Sequence, residues 1–145
     1  MFAPVYRRPM ATRADLRRIA MSLPGVHAET PRFAFAVERK GKSKAFVWTW
    51  QERIDPRKAR VPNDKVVAVR VADQDEKAAI LSVDGDKFFT EPHYDGYPAV
   101  LVRLAEVSVA ELRKLVVDAW RCLAPEAAVA AFDAKPRKRA PAKKR

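Results

Sequence analysis

Apolar residues recur with helical spacing close to both ends of the chain. Near the start, four of them fall at positions i, i+3, i+4 and i+7 and predict one buried stripe: Leu16, Ile19, Ala20 and Leu23. Thr12 and Asp15 have the spacing of a capping box, which predicts the first turn of this helix. The Leu-Pro-Gly sequence at 23–25 ends it.

A second capping box, formed by Ser108 and Glu111, predicts the start of the last long helix. The apolar residues expected on its buried face are Leu112, Leu115, Val116, Ala119, Trp120 and Leu123. Pro125 ends or kinks this helix because proline lacks the amide hydrogen that a helix interior needs. Residues 126–132 predict one or two further helical turns.

Strict alternation of large apolar residues predicts two strands at 33–37 and 46–50. The residues expected on one face of each strand are Phe33, Phe35 and Val37, and then Phe46, Trp48 and Trp50. Gly41 permits the positive φ of a tight turn between them, so the two strands predict a hairpin.

Residues 51–64 contain two prolines and no clean period, which predicts a loop. The remaining predicted elements are a strand at 65–71, a helix capped by Asp73 with Glu76 and ended by 84–86, a short strand at 88–90 and a strand at 97–104. The order is therefore α-β-β-β-α-β-β-α. Neighbouring strands joined by turns predict an antiparallel sheet.

This order predicts the α+β class, as a two-layer sandwich whose helices pack on one face of the sheet. The other sheet face is then partly open to solvent. We expect a flexible N-terminal segment at 1–11, one folded domain at 12–134 and a disordered basic tail at 135–145.

Composition excludes several functional classes. The 145 residues contain one cysteine, Cys122, so no internal disulfide framework or Cys-rich zinc site is expected. The chain has only four glycines, and they are too far apart to form a phosphate-binding P-loop or a dinucleotide-binding turn. No window is apolar enough for a membrane span, and the first ten residues lack the apolar region of a secretory signal. We expect a cytoplasmic bacterial protein with no cofactor and no bound metal.

Most of the positive charge lies at the ends of the chain. The formal net charge is +11, but residues 11–134 hold 20 of the 29 Lys and Arg residues and all 18 Asp and Glu residues. Seven cations fall in the tail: Lys135, Arg137, Lys138, Arg139, Lys143, Lys144 and Arg145. Such a run either contacts nucleic-acid phosphates without sequence preference or only keeps the protein soluble.

The predicted hairpin carries a second basic group at its tip, consisting of Arg39, Lys40, Lys42 and Lys44. These side chains either bracket a phosphate backbone or form a solvated turn. Trp48 and Trp50 are expected in the core, although exposed tryptophans would stack on unpaired bases.

Polar and aromatic residues also gather at His93, Tyr94 and Tyr97, a composition typical of binding loops. Glu91, His93 and Asp95 alternate as metal ligands would, but alternate residues on a turn are as often plain surface. No base, nucleophile and orienting group are recognisable together, so no catalytic residue is assigned. This loop is the alternative site, for a small ligand or a protein.

Three segments resemble the MmcQ/YjbR family. They are the helix and Leu-Pro-Gly end at 14–25, the sequence FFTEPHYDGYP with VLVRL at 88–104, and the closing helix with Asp118-Ala-Trp-Arg121. The similarity spans about 12–124 and implies a frataxin-like α+β fold with a double-wing mode of DNA binding. Many members carry a Lys/Arg-His-Trp cluster where this chain has PHYDGY at 92–97, so the resemblance does not extend to phosphate binding by that loop.

Together these observations predict a non-catalytic protein that binds double-stranded DNA with low sequence specificity. The basic hairpin tip and the basic tail supply the phosphate contacts. The alternative is a ligand-binding or protein-binding module centred on His93, Tyr94 and Tyr97.

Overall fold

Both predicted capping boxes form, and each begins a helix of the main layer. In the computed structural model, which describes residues 10–134, helix α1 spans Arg13–Met21, and Thr12 and Asp15 exchange hydrogen bonds of 3.1 and 3.0 Å at its start. The same reciprocal pair, Ser108 and Glu111, begins the longest helix. The other helices are α2 (Gln74–Leu81), α3 (Val109–Leu123) and α4 (Glu126–Ala134).

Six strands form one fully antiparallel sheet. They are β1 (His27–Ala28), β2 (Ala34–Arg39), β3 (Lys42–Glu52), β4 (Val61–Arg70), β5 (Phe88–Phe89) and β6 (Ala99–Arg103). Their order across the sheet is β1-β2-β3-β4-β6-β5. The predicted α+β fold is confirmed. Within residues 10–134, no helix has both the length and the apolar character needed to cross a lipid bilayer.

Helices α1 and α3 cover one face of the sheet. Their buried residues pack on Phe35, Val37, Val67, Val69 and Val102, which project from the strands on that side. Trp120 of α3 is fully buried at the centre of this layer, and its Nε1 donates to the Pro24 carbonyl 3.1 Å away. This face is the main hydrophobic core.

The opposite face carries a smaller cluster that no long helix covers. Its buried members are Val66, Ala68, Tyr94, Ala99 and Leu101, and its half-buried members are Trp48, Trp50 and Phe89. A short 3-10 turn at Pro92–Tyr94 lies over it. We call this side of the sheet the open face.

The prediction that Phe46, Trp48 and Trp50 share one face is wrong. The strand register shifts between Phe35 and Ala36, so Phe46 is an extra residue in β3. Phe46 consequently packs in the main core, whereas Trp48 and Trp50 belong to the cluster on the open face. The bulge thereby separates these tryptophans from the main core.

Several predicted boundaries also differ. Strands β3 and β4 extend into the predicted loop at 51–64, because Gln51 and Glu52 pair with Pro62 and Val61. The last strand begins at Ala99 rather than Tyr97, and α2 ends at Leu81. The two-residue strand β1 was not predicted because it is too short to show a period.

Candidate functional site

Two hairpins share β3 and extend beyond the rest of the sheet. Strand β4 pairs with β3 only from Val47 onward, so the part of β2 and β3 at 37–44 is paired only within its own hairpin. At the other end, β6 pairs with β4 only from Val66. We call residues 37–44 the first hairpin and residues 51–62 the second hairpin. Because β3 has 11 residues, their tips lie about 30 Å apart.

The first hairpin presents three exposed lysines. Lys40 and Gly41 form its turn with positive φ of 53° and 79°. Lys40, Lys42 and Lys44 are all exposed, and within residues 10–134 none of the three is in an ion pair or a side-chain hydrogen bond. These lysines are available to external anions.

Arg39 has a different position from its lysine neighbours. Its Nη1 donates to the carbonyl oxygens of Leu123 and Ala124, at 3.2 and 3.4 Å. A guanidinium at the C-terminus of a helix satisfies carbonyls that have no partner within the helix. Arg39 therefore attaches the first hairpin to the end of α3.

The second hairpin carries a basic tip that the sequence reasoning missed. Four cations lie at or beside it: Arg53, Arg57, Lys58 and Arg60. Arg53 donates to the Lys58 carbonyl at 2.7 Å, and Arg60 donates to the Gln51 carbonyl at 3.0 Å, so these two brace the loop. The two prolines in this stretch concealed the strand ends, although the surplus of basic residues was visible in the sequence.

On the open face, hydrogen bonds hold the tryptophans to the loop at 91–97. Trp48 Nε1 donates to the Tyr94 hydroxyl at 3.1 Å, and Trp50 Nε1 donates to the Glu91 carboxylate at 3.2 Å. Burial raises the pKa of the Tyr94 hydroxyl, so it stays protonated at neutral pH. The predicted core role of Trp48 and Trp50 is only half fulfilled, since both are partly exposed.

A buried lysine fixes the same loop from the other side. Lys77 of α2 is 5% exposed, and its Nζ donates to the carbonyls of Tyr94 and Tyr97 at 2.6 and 2.8 Å. Burial lowers the pKa of Lys77, and the nearby Asp95 carboxylate opposes that shift. Gln74 adds a hydrogen bond to the Gly96 carbonyl at 3.1 Å. The loop is consequently well ordered by its contacts.

A groove joins the first hairpin to this loop. One cavity of about 380 Å³ is lined by Trp48, His93, Tyr94 and Tyr97. A second, of about 340 Å³, adjoins it, because Trp48 and Tyr97 line both. The charged residues that line the second cavity are Arg32, Lys44 and Arg70. No carboxylate lines either cavity in the described part of the chain. We call the two cavities together the groove.

The residues predicted as an alternative site thus lie together, but they differ in access. Tyr94 is buried, His93 is exposed and Tyr97 is 46% exposed. The rings of Trp48 and Tyr94 both meet the Tyr97 ring edge-on, with centroids 6.3 and 6.1 Å away. Neither neighbour occupies a parallel stacking position on Tyr97.

A serine, a histidine and a carboxylate meet at the rim of the groove. His27 Nε2 lies 3.1 Å from Ser43 Oγ, and Ser43 donates to Glu29. In a nucleophilic triad the carboxylate orients the histidine, whereas here it accepts from the serine. The hydrogen bond from Ser43 and the charge of Arg32 hold the pKa of Glu29 below its ordinary value. This arrangement is a polar cross-link that joins Ser43 of β3 to His27 of β1 and to Glu29, the residue that follows β1.

The single cysteine is not activated as a nucleophile. Cys122 Sγ lies 3.3 Å from the Asp118 carbonyl, and burial raises the pKa of its thiol, which disfavours the reactive thiolate. Across residues 10–134, no three His, Cys, Asp or Glu side chains are grouped to hold a metal ion. The seven predicted tail cations, Lys135, Arg137, Lys138, Arg139, Lys143, Lys144 and Arg145, lie outside the described residues.

Comparison with known proteins gives relatives but no activity. An uncharacterised protein of Mycobacterium tuberculosis (strain ATCC 25618 / H37Rv) is 40% identical over 129 residues, which cover 85% of this chain and 96% of that protein. An uncharacterised protein of Mycobacterium bovis matches with the same figures. The crystal structure of Deinococcus radiodurans protein DR2400, described as a DUF419 domain, is similar with a TM-score of 0.62 and 17% identity. That likeness covers 88% of this chain and 92% of the other, and it supports the fold.

The family assignment rests on sequence over most of the folded part. The sequence model of the family described as YjbR matches residues 21–122, which include all six strands and nearly all of α3. The resemblance noted in the sequence is confirmed. This chain is a member of the YjbR family.

Proposed function

We propose that this protein binds double-stranded DNA with low sequence specificity and that its two hairpins contact the phosphate backbone. The observation that carries the proposal is the pair of basic hairpins extending from opposite ends of β3. Each tip reaches beyond the sheet, so both can approach one extended polyanion. This arrangement agrees with the double-wing mode that the family resemblance implies.

The charge distribution supports the same function. Lys40, Lys42 and Lys58 are exposed at the two tips, and the seven tail cations add a sequence-independent attraction. The protein has no assigned catalytic residue in this proposal, and it acts in the bacterial cytoplasm, where DNA is accessible. Contacts to phosphate position a protein on DNA but carry no base information, so low specificity follows.

Salt-dependent binding of a short mixed-sequence duplex tests the proposal. We expect log K for the full chain to fall with log salt concentration and the slope to decrease by about 0.9 for each phosphate contact removed. Lys40→Gln with Lys42→Gln removes two such cations from the first tip. The matched control, Arg113→Gln with Lys114→Gln, removes the same charge from exposed positions on α3.

The hairpin variant should lose more affinity and more salt dependence than the control. Equal losses in both variants would show that net charge alone governs binding. A wild-type chain that fails to bind duplex at low salt would refute the proposed function. A third variant, with all seven tail cations replaced by glutamine, separates the tail from the hairpins. If only this variant loses binding, the hairpins have no role.

Binding of a small ligand remains the second candidate function. The observation that favours it is the groove between the first hairpin and the loop at 91–97, where His93, Tyr94 and Tyr97 come together with Trp48. A concave site with aromatic walls and few polar groups is typical of ligand pockets.

A further inference from the structure

We infer that the groove binds a nucleotide whose base is unpaired, either free or within a single strand. The inference rests on the proposed function in one respect, that nucleic acid is the partner. It goes further by assigning a site for an unpaired base, which contacts between hairpins and phosphates do not require.

The lining of the groove fits both parts of a nucleotide. Arg32, Lys44 and Arg70 supply three cations, and the Glu29 carboxylate lies at the rim, where it contacts Ser43 and Arg32. Arg70 donates to the Val71 carbonyl through Nε, and Arg32 lies 3.5 Å from Glu29. Guanidinium groups are suited to phosphate because their donors match two phosphate oxygens at once.

The aromatic wall provides a place for the base. Tyr97 is 46% exposed, and both of its aromatic neighbours meet it edge-on. With 46% of its surface exposed and neither neighbouring ring parallel to it, Tyr97 offers a surface on which a planar base can stack. Base stacking on exposed aromatic side chains is the main sequence-tolerant contact in single-strand binding proteins.

The backbone at the groove is also available for hydrogen bonding. Ser43, Lys44 and Ala45 lie on the part of β3 that β4 does not pair. An unpaired strand edge presents amide and carbonyl groups that suit the polar edge of a base. In a duplex the Watson–Crick edges and the ring faces are occupied by pairing and stacking, so only an unpaired base can offer both to the groove.

Two interactions keep the site in shape before a ligand arrives. Lys77 holds the carbonyls of Tyr94 and Tyr97, and the Trp48 indole is tied to the Tyr94 hydroxyl. The stacking ring is thus mounted on a loop whose position is fixed from two sides. A preorganised site loses less entropy when it binds.

Fluorescence anisotropy with a labelled oligothymidylate tests the inference on the full chain, and unlabelled thymidine monophosphate serves as the competitor. We expect Tyr97→Ala to weaken single-strand binding by about tenfold, the effect of losing one stacked base. Arg70→Gln should weaken it by a similar factor and lower the salt dependence. Val83→Ala and Arg113→Gln are the matched controls at exposed positions away from the groove, and neither should change affinity more than twofold.

The outcomes separate this inference from the proposed function. The groove assignment would be overturned if Tyr97→Ala and Arg70→Gln left the single-strand affinity unchanged in variants whose circular dichroism matches the wild type. Duplex binding, and with it the proposed function, would be unaffected by that result. A wild-type chain that binds neither oligothymidylate nor the mononucleotide would also overturn it. Competition by the mononucleotide would identify a free nucleotide as a ligand. Binding of the oligomer alone would identify a strand.

Discussion

The two faces of the sheet differ in how far their large aromatic side chains are buried. The face under α1 and α3 packs aliphatic side chains together with Phe35 and Phe46, and Trp120 of α3 is fully buried against it. On the open face Trp48 and Trp50 are only half-buried, and they use their N–H groups to hold the loop at 91–97. The first arrangement excludes water and supplies stability. The second leaves rings, carbonyls and cations at the surface, where they can recognise a ligand.

The difference shows that one bulge decides which face of the sheet each aromatic side chain of β3 reaches. Residues of β3 contribute to the main core at Phe46 and Val47 and to the open face at Trp48. The bulge at Phe46 directs two consecutive residues to the same side and changes the alternation after it. Large aromatic residues in a strand are therefore not all core residues, even when their spacing is regular.

The largest expected effect is a loss of unfolding free energy, which should be greater for a tryptophan on the helix-covered face than for one on the open face. Trp120→Ala removes a fully buried side chain and should lower the free energy of unfolding by about 3–5 kcal/mol. Trp48→Ala should lower the free energy of unfolding by less, because that ring is already partly exposed. Urea denaturation of both variants measures the difference. Equal losses would show that the open face is part of the main core.

A smaller loss of unfolding free energy is expected when the hydrogen bonds that hold the loop at 91–97 are removed. Lys77→Met removes both hydrogen bonds to the carbonyls of Tyr94 and Tyr97, and it should cost about 1–3 kcal/mol of unfolding free energy. Faster amide exchange should be confined to the loop at 91–97. Lys114→Met, at an exposed position on α3, is the control. Unchanged exchange in the loop would mean that Lys77 does not hold it.

The smallest expected effect is a loss of stability at low pH, and it comes from Glu111 at the start of α3. The Lys87 ammonium and the Ser108 amide, through their hydrogen bonds, hold the pKa of Glu111 below its ordinary value of 4.5. A depressed carboxyl pKa stabilises the fold above that ordinary value, and the contribution is lost as pH falls through the folded-state pKa. Denaturation midpoints from pH 6 to pH 3, compared with Glu111→Gln, check this. Parallel curves for the two proteins would contradict it.

The sequence predicted the parts of the fold that local chemistry determines. Two capping boxes marked where α1 and α3 begin, because a side chain and a backbone amide three residues apart must satisfy each other there. The hairpin turn at Gly41 was predictable for the same local reason. The end of β3 at Glu52 and the start of β4 at Val61 were not predictable, because two prolines masked a pairing that depends on the partner strand.

The candidate site was only partly predictable. The loop residues His93, Tyr94 and Tyr97 stood out by composition, and so did the lysines of the first hairpin. That these two groups border one groove depends on residues far apart in the chain: the rings of Trp48 and Tyr97 contact each other, and Lys44 and Arg70 line the same cavity. No spacing along the sequence reports such contacts. Arg39 was predicted to be a free cation at the hairpin tip, but in the structure its guanidinium is bound to the end of α3.

Amide hydrogen exchange of the full chain, with and without bound duplex DNA, tests most directly which region binds nucleic acid. The account predicts protection at the tips of the two hairpins, residues 39–44 and 53–60, with α1 and the exposed side of α3 unchanged. Protection on those helices, or none anywhere within residues 10–134, would contradict it.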